Sequence, residues 1–183
     1  MKTCIAAVLV VSLMFASTSA VRAADKSEEA KKLDKDTRAA IESFKKTDSE
    51  LSKTFDTAIG YAVFPDIVKG AAGIGAADGD GEVFSKGKLI GTARMTQVTL
   101  GLQLGGQEYA EVIFFETKDA LDRFTGSEWA MSAQASAVAA AEGAAANAKY
   151  KQGVMVFTIS KGGLMFEASV GGQKFKFTPL EKK

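Results

Sequence analysis

Residues 98–116, VTLGLQLGGQEYAEVIFFE, constrain the fold of this chain more than any other stretch. Val98, Leu100, Leu102 and Leu104 alternate with Thr99, Gly101 and Gln103, the period of two expected of a strand with one buried face. Gly105 and Gly106 supply the positive φ angles of a tight reversal, which predicts that residues 109–115 return antiparallel as the second arm of a hairpin. Ile113, Phe114 and Phe115 are apolar without alternation, so this end of the strand is expected to be covered on both faces, by a helix or a second sheet.

The flanking sequence supplies that cover. Over 24–46, Ala30, Leu33, Ala40, Ile41 and Phe44 recur at helical spacing, with Asp25 or Ser27 as cap. Thr47 and Glu50 have capping-box spacing and predict a second helix carrying Leu51, Phe55, Ala58 and Ile59, closed by Gly60. Residues 61–65 are a short buried run stopped by Pro65, and 69–81 turn to glycine and alanine, a composition that allows sharp bends and close backbone approach. Ser85-Lys86-Gly87-Lys88 reads as a hairpin turn, followed by a strand over 92–104. Thr117 caps a helix with Ala120, Leu121 and Phe124 on one face, ended by Gly126. Residues 127–147 are alanine-rich and predict a helix packed closely on the sheet. Residues 154–159, 164–170 and 173–177 predict three last strands between glycine turns. This order predicts an α+β fold: an antiparallel, barrel-like curled sheet with N-terminal helices and a central alanine-rich helical segment packed on it.

The first 23 residues read as a signal peptide: Lys2, an apolar run over 5–16, then Val21 and Ala23 at the −3 and −1 positions of a cleavage site, with a cut after Ala20 as the alternative. The run is shorter than the roughly 20 residues that span a bilayer. Residues 24–183 are then expected to form a single domain with 24–46 loosely attached, periplasmic or secreted. Cys4 precedes the apolar run, so the cleaved chain has neither a lipoprotein cysteine nor a disulfide. Removing Lys2 and Arg22 from the 23 basic residues leaves 21 against 22 acidic ones. The near-balance masks an asymmetry: Lys149, Lys151, Lys161, Lys174, Lys176, Lys182 and Lys183 face only Glu167 and Glu181 in the last fifth of the chain.

Chemistry is bounded mainly by exclusion. There is no histidine, and no cysteine beyond Cys4, which removes histidine-based nucleophile dyads and ordinary zinc sites. No enzymatic activity and no cofactor are expected. Gly73-Ile74-Gly75 opens a dinucleotide fingerprint, but Asp78 stands at the third glycine position. Asp78, Asp80 and Glu82 alternate with glycines like the start of a calcium loop, yet the position of the late glutamate is Leu89, so a polar turn is favoured and calcium stays open. Lys174 and Lys176 share one strand face and Phe175 and Phe177 the other; with Lys149, Lys151 and Lys161 they form the candidate lipid-binding set.

YAVFP at 61–65 with the Lys69-Gly70 run after it, LGLQLGGQ at 100–107, VIFFETKDALDRF at 112–124, AQASAVAA at 133–140 and GVMVFTISKGGLMFEASVGGQKF at 153–175 resemble the SYLF lipid-binding domain over nearly the whole chain from Ile41. The resemblance implies an α+β fold. In eukaryotic members it implies binding to phosphoinositide-rich membranes through basic residues and an amphipathic N-terminal segment, sometimes with actin; bacterial members are envelope proteins. The function expected here is reversible peripheral binding of anionic phospholipid by an exported domain, with no nucleic acid partner. The alternative is an envelope interaction or stress module that binds a protein.

Overall fold

The computed structural model describes residues 5–126, 128–132, 137–161 and 171–181, with the backbone alone for 5–24, 71–74 and 99–106. The chain falls into two units, Met1–Lys35 and Asp36–Lys183. Helix α1 (Ile5–Thr47) provides the whole described part of the first unit and enters the second. The second unit continues with α2 (Ser49–Thr57), β1 (Gly60–Ser85), β2 (Lys88–Phe115), α3 (Lys118–Phe124), β3 (Trp129–Ala130), β4 (Val138–Ala139), α4 (Ala144–Asn147), β5 (Val154–Ser160) and β6 (Lys174–Pro179).

The centre of the fold is one long ribbon. β1 and β2, 26 and 28 residues, pair antiparallel from Gly60 opposite Phe115 to Ser85 opposite Lys88. The hairpin expected at Gly105–Gly106 is therefore corrected: both glycines lie inside β2, opposite Ala71 and Gly70. Two glycines permit a reversal without requiring one, and here a partner strand continues past them. The chain reverses instead in the turn expected at Ser85–Lys88, where Lys86 and Gly87 take φ of 48° and 73°. Pro65, which lacks a donor, does not end the strand; it sits in the irregularity between Phe64 and Ile67, where pairing with β2 shifts register.

The ribbon then bends so that the two halves of β1 meet. A Cβ on Gly79 would come within 2.8 Å of Asp66 O, and one on Gly81 within 2.5 Å of Val63 O and of the Phe64 ring. The Lys86 N–H donates to Ile59 O at 3.1 Å, tying the ribbon's tip to its base. β5 pairs with the 109–115 half of β2 and β6 with the 91–96 half, both antiparallel, and the sheet order is β3-β6-β2-β5-β4 with β1 also on β2. The result is the curled, mostly antiparallel sheet of an α+β fold with N-terminal helices.

The curl creates two cores. Phe64, Ile67, Met95, Ile113, Phe115, Phe124 and Phe175 fill its concave side, closed by α3. Phe44 of α1, Leu51 and Phe55 of α2, and Tyr61, Val112, Phe114 and Phe157 form the other, beneath the N-terminal helices. Alternate residues of the 112–115 run thus enter opposite cores, as its loss of alternation predicts; each fully buried phenylalanine contributes about 1.5–3 kcal/mol.

One helix cap differs from expectation. α2 begins at Asp48, not Thr47: Asp48 Oδ1 accepts from the Glu50 N–H at 3.0 Å. Its Oδ2 accepts from the Ala145 N–H at 2.7 Å, so one fully buried carboxylate joins α2 to α4. Thr117 caps α3 as expected, accepting from the Ala120 N–H at 3.2 Å. The helix expected over 127–147 is replaced, among its described residues, by β3, β4 and the single turn of α4. Backbone partners outside the segment override alanine's helix propensity, a fraction of a kcal/mol per residue. The Met131 N–H donates to Gln173 O at 2.8 Å and the Ala140 N–H to Thr158 O at 2.9 Å, bonds to the sheet that a continuous helix would forfeit. The strand expected at 154–159 is β5 and that at 173–177 is β6; the one expected at 164–170 lies outside the described residues.

Candidate binding surface

On the outer face of the curl, cross-strand register sets charges in rows. Asp80 of β1 lies opposite Arg94 of β2, which lies opposite Lys176 of β6; Asp78, Thr96 and Lys174 make the next row, and Ala130 of β3 flanks Lys174. Lys174 and Lys176 are exposed, while Phe175 between them is buried against Phe64, Phe124 and Trp129, so the expected division of faces holds. Neither lysine has an ion pair among the described residues. A groove of about 410 Å³ runs between them, bordered by Arg94, Glu128 and Trp129.

Arg94 is tied back to β1, with Nη2 2.8 Å from Asp78 Oδ1 and Nη1 3.6 Å from Asp80 Oδ1. Asp78 and Asp80 therefore face a guanidinium, and Glu82, the third candidate calcium ligand, is buried. Among the described residues no three such side chains converge in the manner of a metal site.

The other candidate lysines are not in this groove. Lys161 pairs with Asp66 and lies 3.8 Å from Glu108, which neutralises it. Lys149 and Lys151 are exposed at the rim of a separate cavity, about 500 Å³, beside the start of β5. The structure thus divides the five lysines into a pair on β6, a pair beside β5 and one neutralised residue.

Inside the concave core lies a polar group the sequence did not mark. Glu111 is fully buried on β2 and accepts from Gln173 Nε2 at 3.0 Å through Oε2, while Oε1 has no partner among the described residues. Burial pushes its carboxyl up to about 7, only partly offset by the Gln173 hydrogen bond. Burial, then the nearby Glu111, also raises the Tyr109 hydroxyl. Period two around Tyr109, Glu111 and Ile113 signals an inward glutamate once residue 111 is placed in a strand covered on both sides. Arg94 was legible in the same way, as the polar member between Ala93 and Met95.

No helix among the described residues is long and apolar enough to cross a membrane. Residues 96–179 match the family model Ysc84, described as Las17-binding protein actin regulator. Beta cell expansion factor A of Aeromonas veronii is 33% identical over 122 residues, which covers 66% of this chain and 46% of that relative. The chain therefore spans just under half the length of the curated relative it matches.

Proposed function

We propose, from the match of residues 96–179 to the Ysc84 (SYLF) family, that the chain is a binding domain of the lipid- or actin-regulator type that binds anionic phospholipid surfaces peripherally, without turnover. The observation that carries this reading is the exposed, unneutralised pair Lys174 and Lys176 on a strand whose other face is locked into the core. Each lysine held near an anionic membrane contributes about 1 kcal/mol, so two give weak, reversible, salt-sensitive adhesion. The Lys149 and Lys151 pair adds charge elsewhere on the domain; Lys161 does not, since Asp66 and Glu108 already compensate it. Export fits the same function: the apolar run over 5–16 and Ala23 at a cleavage position deliver the domain to the periplasm or the exterior, where it meets a phospholipid leaflet.

Flotation with phosphatidylglycerol vesicles tests this. The protein is expected to float at low salt, release as salt rises, and lose flotation when Lys174 and Lys176 are both alanine. Absence of flotation at low salt, or undiminished flotation of the double variant, overturns the assignment. A second reading has its own support. The family description names a protein partner, and the mixed charge of Asp78, Asp80, Arg94 and Glu128 suits a protein surface better than a bilayer. An envelope protein whose capture survives loss of Lys174 and Lys176 but not charge reversal at Arg94 supports it.

A further inference from the structure

We propose a second site, on the open flank of β5, that encloses the tail of a long-chain fatty carboxylate and holds its head between Lys149 and Lys151. β4 pairs with β5 only at Phe157 and Thr158, and Lys151 bridges Val154, so among the described residues nothing pairs with Met155 and Val156 on that side. Beside this part of β5 lies a cavity of about 500 Å³, within the range of pockets that hold a small ligand and sized for one tail. Met131, Val138, Met155 and Val156 supply apolar wall, and two of these four are methionines, whose unbranched chains conform to a flexible tail.

The head is assigned by charge. Lys149 and Lys151 both line the cavity and are exposed, while Tyr150 between them is half-buried against the cluster of Phe44, Leu51 and Phe55. Among the described residues no aspartate or glutamate lines it, and neither lysine has an ion pair. An apolar bed ending in two uncompensated cations matches an amphiphile with one anionic head. The β6 face, by contrast, offers lysines over a groove that Arg94 and Glu128 border.

Trp129, the one tryptophan of the chain, lines this cavity, so its fluorescence reports occupancy without a label. Titration with octanoate, decanoate and dodecanoate below their micelle concentrations is expected to give saturable changes, with affinity rising roughly fourfold per methylene. Charge reversal at Lys149 and Lys151 is expected to weaken dodecanoate at least tenfold and leave dodecanol unchanged. Trp129 also borders the groove beside Lys174, so reversal at Lys174 and Lys176 is the control: it is expected to leave dodecanoate binding intact while abolishing vesicle flotation. The site is overturned by a response that does not saturate, by affinity indifferent to chain length, or by loss of dodecanoate binding in the Lys174 and Lys176 variant in place of the Lys149 and Lys151 one. Because saturable, chain-length-dependent fluorescence with free carboxylates needs no vesicle, and flotation is judged on the Lys174 and Lys176 variant, failure of this site is distinguishable from failure of vesicle binding.

Discussion

Replacing Glu111 with glutamine separates the ionisation of the buried carboxyl from its shape. Its carboxyl titrates near 7 in the folded chain against an ordinary value of 4.5, because burial penalises the charged form more than Gln173 rescues it. Below 4.5 both folded and unfolded chains hold the proton. Between 4.5 and 7 the unfolded chain releases it and the folded chain keeps it, so the folded state binds more protons and stability falls as pH rises. Above 7 both are ionised and the deficit is complete. At 1.36 kcal/mol per pH unit between the two titrations, the deficit is about 3 kcal/mol. Glutamine cannot ionise, and its amide oxygen still accepts from Gln173 Nε2. Glu111→Gln is therefore expected to match the parent within about 1 kcal/mol at pH 4.5 and to exceed it by about 3 kcal/mol at pH 8. Urea denaturation of both proteins at pH 4.5, 6 and 8 reads this difference directly, since titrations common to both cancel. A difference that is constant with pH, or larger in acid than in base, refutes the reasoning.

Asp48→Ala removes the α2 cap and the acceptor for the Ala145 N–H together, and is expected to cost about 3 kcal/mol in thermal unfolding, with Asp48→Asn in between. Gly81→Ala forces a Cβ against Val63 O and the Phe64 ring and is expected to cost at least about 2 kcal/mol by denaturant titration. Gly70→Ala, with nothing within 4 Å of the new carbon, is expected to stay within about 0.5 kcal/mol in the same experiment. Lys161→Ala breaks a solvent-exposed pair and is expected to change stability by less than about 1 kcal/mol and leave vesicle flotation unchanged, unlike loss of Lys174 and Lys176.

What the sequence by itself determined is what local periodicity encodes. Period two around Phe175 assigns Lys174 and Lys176 to the outside, loss of alternation at 113–115 demands cover on both faces, and the spacing of Thr117 to Ala120 sets a helix start. Those signals depend on neighbours within a few residues, and each is realised in the fold. Only the tertiary structure decided matters that turn on distant partners. Gly105 and Gly106 stay extended because Ala71 and Gly70 lie opposite, and the alanine-rich stretch gives up its helix among the described residues because Gln173 and Thr158 offer it hydrogen bonds. The charge of Lys161 is compensated by Asp66, 95 positions away, and Glu111 becomes a buried acid that accepts from Gln173, 62 positions away. Side-chain direction follows from chain geometry and can be read along one strand, whereas the sign and strength of a charge depend on which groups the curl brings beside it.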